Sequence, residues 1–329
     1  MSPSRRDFLA TSAGIAAGAL LGRPLHELAA QTTQTAQAVF TPIRRNVGTF
    51  TMRGGTVGWL VNPGGVAVVD TQFPAEAQAL LAGLQERSRN RGVDVLLNTH
   101  HHGDHTGGNG VFRGVARRVV AHGMADQHMR RAPQPPPQAQ QAPPPPAQPP
   151  QQQPTQPPPP APLYPDLTFT HSWSNEVGGE RIVARHHGRA HTSGDAVITF
   201  ERANVVHMGD LAFHRRHPVV DRAAGASMRN WARVLEHVVN AHARDTIYIF
   251  GHAGEGLPVT GSAADLLQFR DYLAAVLAFV EQHVAAGRSR EEILAMRAPL
   301  AGFEAWGPFG QPGARDPLTV AYEEVTTGA

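Results

Sequence analysis

The chain has 329 residues, 41% of them hydrophobic and 17% charged, with a formal net charge of +2 at pH 7 and no cysteine. The lack of cysteine excludes a disulfide framework, a thiolate nucleophile and any sulfur-rich metal site, and so slight a charge with no dense Lys/Arg stripe argues against a nucleic-acid partner. Sixteen of the 28 prolines fall within residues 133–162; the remainder has an ordinary globular composition and is long enough to bury a substantial core.

The N-terminus reads Ser4-Arg5-Arg6-Asp7-Phe8-Leu9, followed by a small-residue apolar run from Ala10 to Leu21 and alanine-rich candidate cleavage sites near Ala30 and Ala38. This resembles a twin-arginine export signal. The apolar run is too short for a membrane span, which needs about 20 residues. Residues 1–38 are therefore expected to be a signal peptide, and 39–329 a single exported, periplasmic domain with no stable span once the signal is removed.

From Val47 the runs Thr49-Phe50-Thr51-Met52, Gly58-Trp59-Leu60-Val61 and Val66-Ala67-Val68-Val69 alternate with Gly and Pro turn signals and predict a β-meander. Pro74 opens a helix with Leu80, Leu81 and Leu84 on one face, and a buried strand over Val93 to Leu97 follows. Residues 133–162 are almost wholly Pro, Gln and Ala, too poor in apolar surface to offset ordering entropy. They read as an exposed insertion, either a tolerated loop or a docking arm for a protein partner with an aromatic groove. Strands are predicted over Leu167 to Thr170, Arg181 to Arg185, Ala196 to Phe200, Asn204 to His207 and Thr246 to Phe250. A long helix from Ala263 to Ala286 ends at Gly287, and Ser289-Arg290-Glu291-Glu292 is a capping-box pattern opening another.

The chemistry concentrates in Thr99-His100-His101-His102-Gly103-Asp104-His105-Thr106, four histidines and a carboxylate within six positions at the end of a strand. In an extended segment alternation sends His100 and His102 to the same side, where both can reach one metal, while Asp104 and His105 turn towards a neighbouring one. His101 points elsewhere. Two ligands do not complete a metal site, and further donors stand near the ends of later strand-like runs: His191 in Ala190-His191-Thr192-Ser193-Gly194-Asp195, Asp210 in Gly209-Asp210, and His252 in Gly251-His252.

His-x-His-x-Asp-His, then a separate His, then Gly-Asp, then Gly-His, in that order from about Val47 to about Ala286, resembles the metallo-β-lactamase superfamily. The resemblance implies an α/β fold, a four-layer αββα sandwich with two facing sheets flanked by helices and metals at one edge. It also implies one metal on His100, His102 and His191, a second on Asp104, His105 and His252, and Asp210 bridging both. Asp70 matches the family's early aspartate, which orients a ligand. A donor set of nitrogen and oxygen alone suits two Zn2+, with Fe or Mn also accommodated.

Two such cations lower the pKa of a shared water from 15.7 towards 7, so hydrolysis of a small-molecule ester, thioester, lactone or amide is the expected reaction, with Asp104 or Asp210 orienting or relaying the proton. The familiar zinc β-lactamases use a cysteine ligand or lack an aspartate at the position of Asp210, so this donor set is nearer to glyoxalase II-like hydrolases. A β-lactamase, a persulfide dioxygenase-like enzyme with a single iron and a noncatalytic exported binding module remain as alternatives. His214-Arg215-Arg216-His217 reads either as a loop steering an anionic substrate or as a solvated basic loop. Arg185, His186 and His187 are open between pocket lining and structure, and His207 falls within a predicted strand.

Overall fold

The structure is a computed structural model that describes residues 37–131 and 160–328. All but the last two residues of the signal reading (1–38), and all but the last three of the proline-rich insertion (133–162), thus lie outside the described residues. The first strands are β1 (Val39–Arg44), β2 (Val47–Thr51), β3 (Val57–Asn62) and β4 (Gly65–Val69), an antiparallel meander to which β5 (Val95–Leu97), β6 (Val119–His122) and β7 (Leu167–Phe169) add in parallel. The remaining strands are β8 (Ser172–Val177), β9 (Glu180–Arg185), β10 (Val197–Phe200), β11 (Val205–His207), β12 (Phe213–His214), β13 (Ile247–Ile249), β14 (His252–Ala253) and β15 (Thr260–Gly261). Six of them form a second sheet in the order β15-β13-β11-β10-β9-β8, while β12 and β14 pair with each other. The helices are α1 (Pro74–Ser88), α2 (Gly103–Thr106), α3 (Gly123–Arg131), α4 (Met228–Ala241), α5 (Ala263–Ala285), α6 (Arg290–Leu294) and α7 (Pro317–Thr327).

The period-2 alternation of the strands fixes the layers. On β4, Ala67 and Val69 face inward onto Ile198, Phe200, Val205 and Ile249 of the second sheet. Val66 and Val68 face outward onto Leu80 and Leu84 of α1. The second sheet repeats the pattern, with Val197, Val206 and Tyr248 outward against Trp231 and Leu235 of α4 and Phe269 and Leu273 of α5. Each sheet is covered on both faces, which is why these strands read as continuous apolar runs. The expected four-layer αββα arrangement is the one observed.

The predicted meander, α1, α5 and the Ser289 capping box are all present. The sequence reading missed β1 and β8, whose residues alternate poorly because much of each is exposed at a sheet edge. It also passed over α4, capped by Ser227, and α7. α7 is fastened by the buried Glu324, whose carboxylate accepts bonds from the Ser227 hydroxyl and the Met228 and Arg229 amides at the α4 N-terminus.

Candidate metal centre

All the singled-out donors lie where strands of the two sheets end. Asp70 follows β4, the His100–His105 segment follows β5, Asp210 follows β11 and His252 follows β13, and both β4–β5 and β11–β13 are parallel pairs. Parallel neighbours end at the same edge, so donors far apart in sequence meet there. His191 reaches the edge from the loop between β9 and β10.

Among the described residues three groups of donors result: His100, His102, His191 and Asp210; Asp104, His105 and His252; and His101, His102 and Asp221, which shares His102 with the first. In the first, His102 Nδ1 lies 3.1 Å from His100 Nε2 and 2.9 Å from His191 Nε2. In the second, His105 Nε2 is 3.5 Å from His252 Nε2, which is 3.1 Å from Asp104 Oδ2. Asp210 stands between these two. Its Oδ2 lies 3.5 Å from His191 Nε2 and 3.8 Å from His100 Nε2, and its Oδ1 lies 2.9 Å from His105 Nε2 and 3.4 Å from His252 Nε2.

These spacings fit a cation. Bonds of ~2.0–2.1 Å in a tetrahedron separate neighbouring donors by roughly 3.3 Å. The fully buried Oδ1 of Asp210, moreover, accepts no well-directed hydrogen bond, its close neighbours being the His105 and His252 nitrogens that a cation would also need.

The far nitrogens of His100, His102, His105 and His191 are also held. His105 Nδ1 donates to Asp70 Oδ2 at 2.8 Å, His191 Nδ1 to the Val219 carbonyl at 2.7 Å and His102 Nε2 to Asp221 Oδ2 at 2.8 Å, while His100 Nδ1 is 3.0 Å from the Thr99 hydroxyl. Such outer contacts fix ring orientation and tautomer. Asp70 achieves its bond from a left-handed backbone (φ 66°), turning its carboxylate back onto both His105 and Thr99. Gly55 permits the close approach of the β2–β3 loop, because a Cβ there would overlap the His105 ring.

Electrostatics divide the first two groups. Burial drives His100 well below its ordinary value and His191 down to about 3, so both present lone pairs. Burial also opposes charge on His105, but the Asp210 and Asp70 carboxylates override it and hold the ring well above its usual range. His252, likewise opposed by burial, is raised to about 8 by Asp210 and Asp104. Burial would raise Asp210 too, yet the facing His252 and His105 hold it well below the carboxylate range.

The other histidines serve different ends. His101 lies outside the groups around Asp210, its ring between His102 and His128 and its Nε2 3.8 Å from Asp221, with which it and His102 form the third donor group. His207 is buried structure, its Nε2 donating to the Thr56 carbonyl. His186 stacks on His122 and donates to the Asp195 carbonyl, and His187 packs near His237. In the basic loop, His214 donates to the Pro258 carbonyl and His217 is engaged by the Tyr272 hydroxyl and stacked on Phe309. Arg216 lines an open groove of about 760 Å3 with Val219, Trp306 and Arg315. Val219 and Asp221 meet the nitrogens of His191 and His102 that face away from the groups around Asp210, so this groove adjoins the outer side of the centre.

A sequence profile of the metallo-beta-lactamase superfamily matches residues 51–255, more than half of the chain. The chain belongs to that superfamily. Among solved structures, a metallo-beta-lactamase from Pontibacter korlensis is 18% identical with a TM-score of 0.54, covering 72% of this chain and 99% of its own. One from Hirschia baltica is 14% identical with a TM-score of 0.53, covering 72% and 97%. At these identities the likeness concerns the fold alone. A hydroxyacylglutathione hydrolase of Synechococcus sp. is 56% identical over 43 residues, a stretch of 13% of this chain and 15% of that protein. In the superfamily match all seven predicted ligands and Asp70 are included, whereas Arg315 lies beyond it.

Sequence reasoning missed Asp221, Val219 and Thr99. Thr99 adjoins the motif and was within reach; Asp221 and Val219 carry no pattern that separates them from any turn residue.

Proposed function

We propose that the protein is an exported hydrolase working with two divalent cations, zinc by preference. His100, His102 and His191 would hold one ion and Asp104, His105 and His252 the other, with Asp210 available to both. The observation that carries this reading is Asp210, buried with one oxygen turned to each donor group. Bound there, such a pair supplies Lewis acidity and a water acidified towards pH 7.

The chain's own residues do the rest. His100, His102, His105 and His191, each fixed at its far nitrogen, keep the donors in place without reorganisation. Asp104, the one carboxylate of the centre with substantial exposure (28%), would accept the proton of the attacking water on the oxygen that does not face His252 and pass it to solvent. Asp210 stays ionised and buried, so it orients rather than exchanges protons. The substrate is an ester, thioester, lactone or amide of a small molecule, and the stretch shared with the hydroxyacylglutathione hydrolase favours a thioester.

The test is metal analysis of natively purified protein together with a panel of β-lactams, lactones, thioesters and phosphodiesters, with His102→Ala as control. About two zincs per chain and hydrolysis lost in the variant support the proposal. One iron with sulfite formed from a glutathione persulfide would replace hydrolysis by oxygenation. Export rests on Arg5 and Arg6 ahead of the apolar run, and requires that changing both to Lys leave the protein in the cytoplasm. Loss of a biological effect on deleting residues 133–162, with His102→Ala retaining it, would instead favour a binding module.

A further inference from the structure

Asp221 and Arg315 belong to no element of the ligand motif, yet both bear on His102. Asp221 is 1% exposed, and its two oxygens do different work. Oδ1 accepts the Ala224 amide at 3.2 Å and so caps the turn over Arg222–Ala224. Oδ2 accepts His102 Nε2 at 2.8 Å and, on the same atom, lies 3.0 Å from the Arg315 guanidinium. The loop bearing Asp221 is tied to the centre by its amide, which donates to the His191 carbonyl.

Arg315 comes from the C-terminal arm and is delivered by several contacts. Its carbonyl accepts the Val220 amide at 3.0 Å, and the next residue, Asp316, caps α7 and pairs with Arg297 at 3.2 Å. The Arg315 guanidinium is otherwise half in solvent, 55% exposed, so nothing but Asp221 requires its position. Asp70 offers the contrast: it grips His105 in the same way but with no cation on its carboxylate.

We propose that Asp221 is the positioning residue for His102, and that Arg315 moderates it by sharing the same carboxylate oxygen, so that the C-terminal arm sets the affinity of the His100–His102–His191 position independently of the other. The inference rests on the metal-centre reading above. A carboxylate accepting from a ligand imidazole fixes its ring and raises its basicity, and loss of such an outer contact costs 10- to 100-fold in metal affinity. A guanidinium on the acceptor oxygen draws off part of that charge, which weakens the effect on the ring.

The experiment is a competition titration of Zn2+ against a chromophoric chelator, performed on the full chain as wild type, Asp221→Asn and Arg315→Gln. Each is repeated in a His252→Ala background to leave one position, and metal-free melting is measured alongside. Asn caps a turn about as well as Asp, so Asp221→Asn removes the charge and keeps the cap over Arg222–Ala224. The expected result is a 10- to 100-fold weaker His100–His102–His191 position in Asp221→Asn, with a lowered metal-free Tm because a buried charged acceptor is lost, and a severalfold tighter position in Arg315→Gln. Opposite signs are the signature, since a merely structural pair would loosen the ion in both variants. Equal affinities for Asp221→Asn and wild type, or loosening in both variants, would overturn the inference while leaving the two-ion centre standing. A wild type that takes up no ion at all would instead remove the metal-centre reading and this inference with it.

Discussion

In the metal-free protein the His105 imidazole is clamped between carboxylates, with Asp70 Oδ2 2.8 Å from Nδ1 and Asp210 Oδ1 2.9 Å from Nε2. It is held protonated well above its ordinary range, and His252, facing Asp104 and Asp210, is raised to about 8. A cation entering this position needs the Nε2 lone pairs of both rings, so it must expel about two protons per ion at pH 7 and fewer once pH exceeds about 8, where His252 is already neutral. Emptying His252 at pH 7 costs about 1.4 kcal/mol, a tenfold loss of apparent affinity. With both rings charged, that affinity falls roughly a hundredfold for each pH unit below 7. The other position, with His100 and His191 already neutral, fills without this cost. Protein titrated with Zn2+ at pH 6 is thus expected to saturate at about one ion and at pH 8 to 9 at about two. Isothermal titration calorimetry in two buffers of different ionisation enthalpy counts the protons. Heats at pH 7 that do not depend on the buffer would show that the clamped imidazolium does not exist and that the reasoning is wrong. The same clamp makes a stability statement with a definite sign. His252 is raised, so its contribution, about 2 kcal/mol, is complete below pH 6.5 and disappears as pH climbs through about 8 in metal-free protein.

Three further outcomes follow from the packing. Asp210→Asn keeps the side chain's volume but removes the charge facing both donor groups, and is expected to lower bound metal below two ions and reduce hydrolysis to the level of His102→Ala, read by metal analysis and steady-state rates. In Gly55→Ala the new Cβ overlaps the His105 ring, so a loss of about 1–3 kcal/mol in metal-free thermal unfolding should accompany weaker binding at the His105 position. Glu324→Gln withdraws a charged acceptor from the Ser227 hydroxyl and two α4 amides, and should cost about 1.5–3 kcal/mol in urea denaturation while leaving the ion count unchanged.

The sequence by itself determined the donor set and the class of fold. Strand alternation pointed to His100, His102, Asp104 and His105, and the resemblance of the whole ordered motif to the metallo-β-lactamase superfamily supplied the roles of His191, Asp210 and His252. Long buried elements were equally legible, because α5 and the β2–β4 meander present apolar residues at unambiguous periods. Tertiary structure alone decided what surrounds the donors. β1 and β8 sit at sheet edges, where much of the strand meets water and the pattern fades. Asp221 reaches His102 across 119 residues and Arg315 reaches Asp221 from the C-terminal arm. Such contacts depend on where separate loops come to rest against one another, and neither periodicity nor motif spacing encodes that. The charge states of the centre were hidden for the same reason: His105 and His100 are the same residue type five positions apart, and only the fold sets one between two carboxylates and leaves the other neutral.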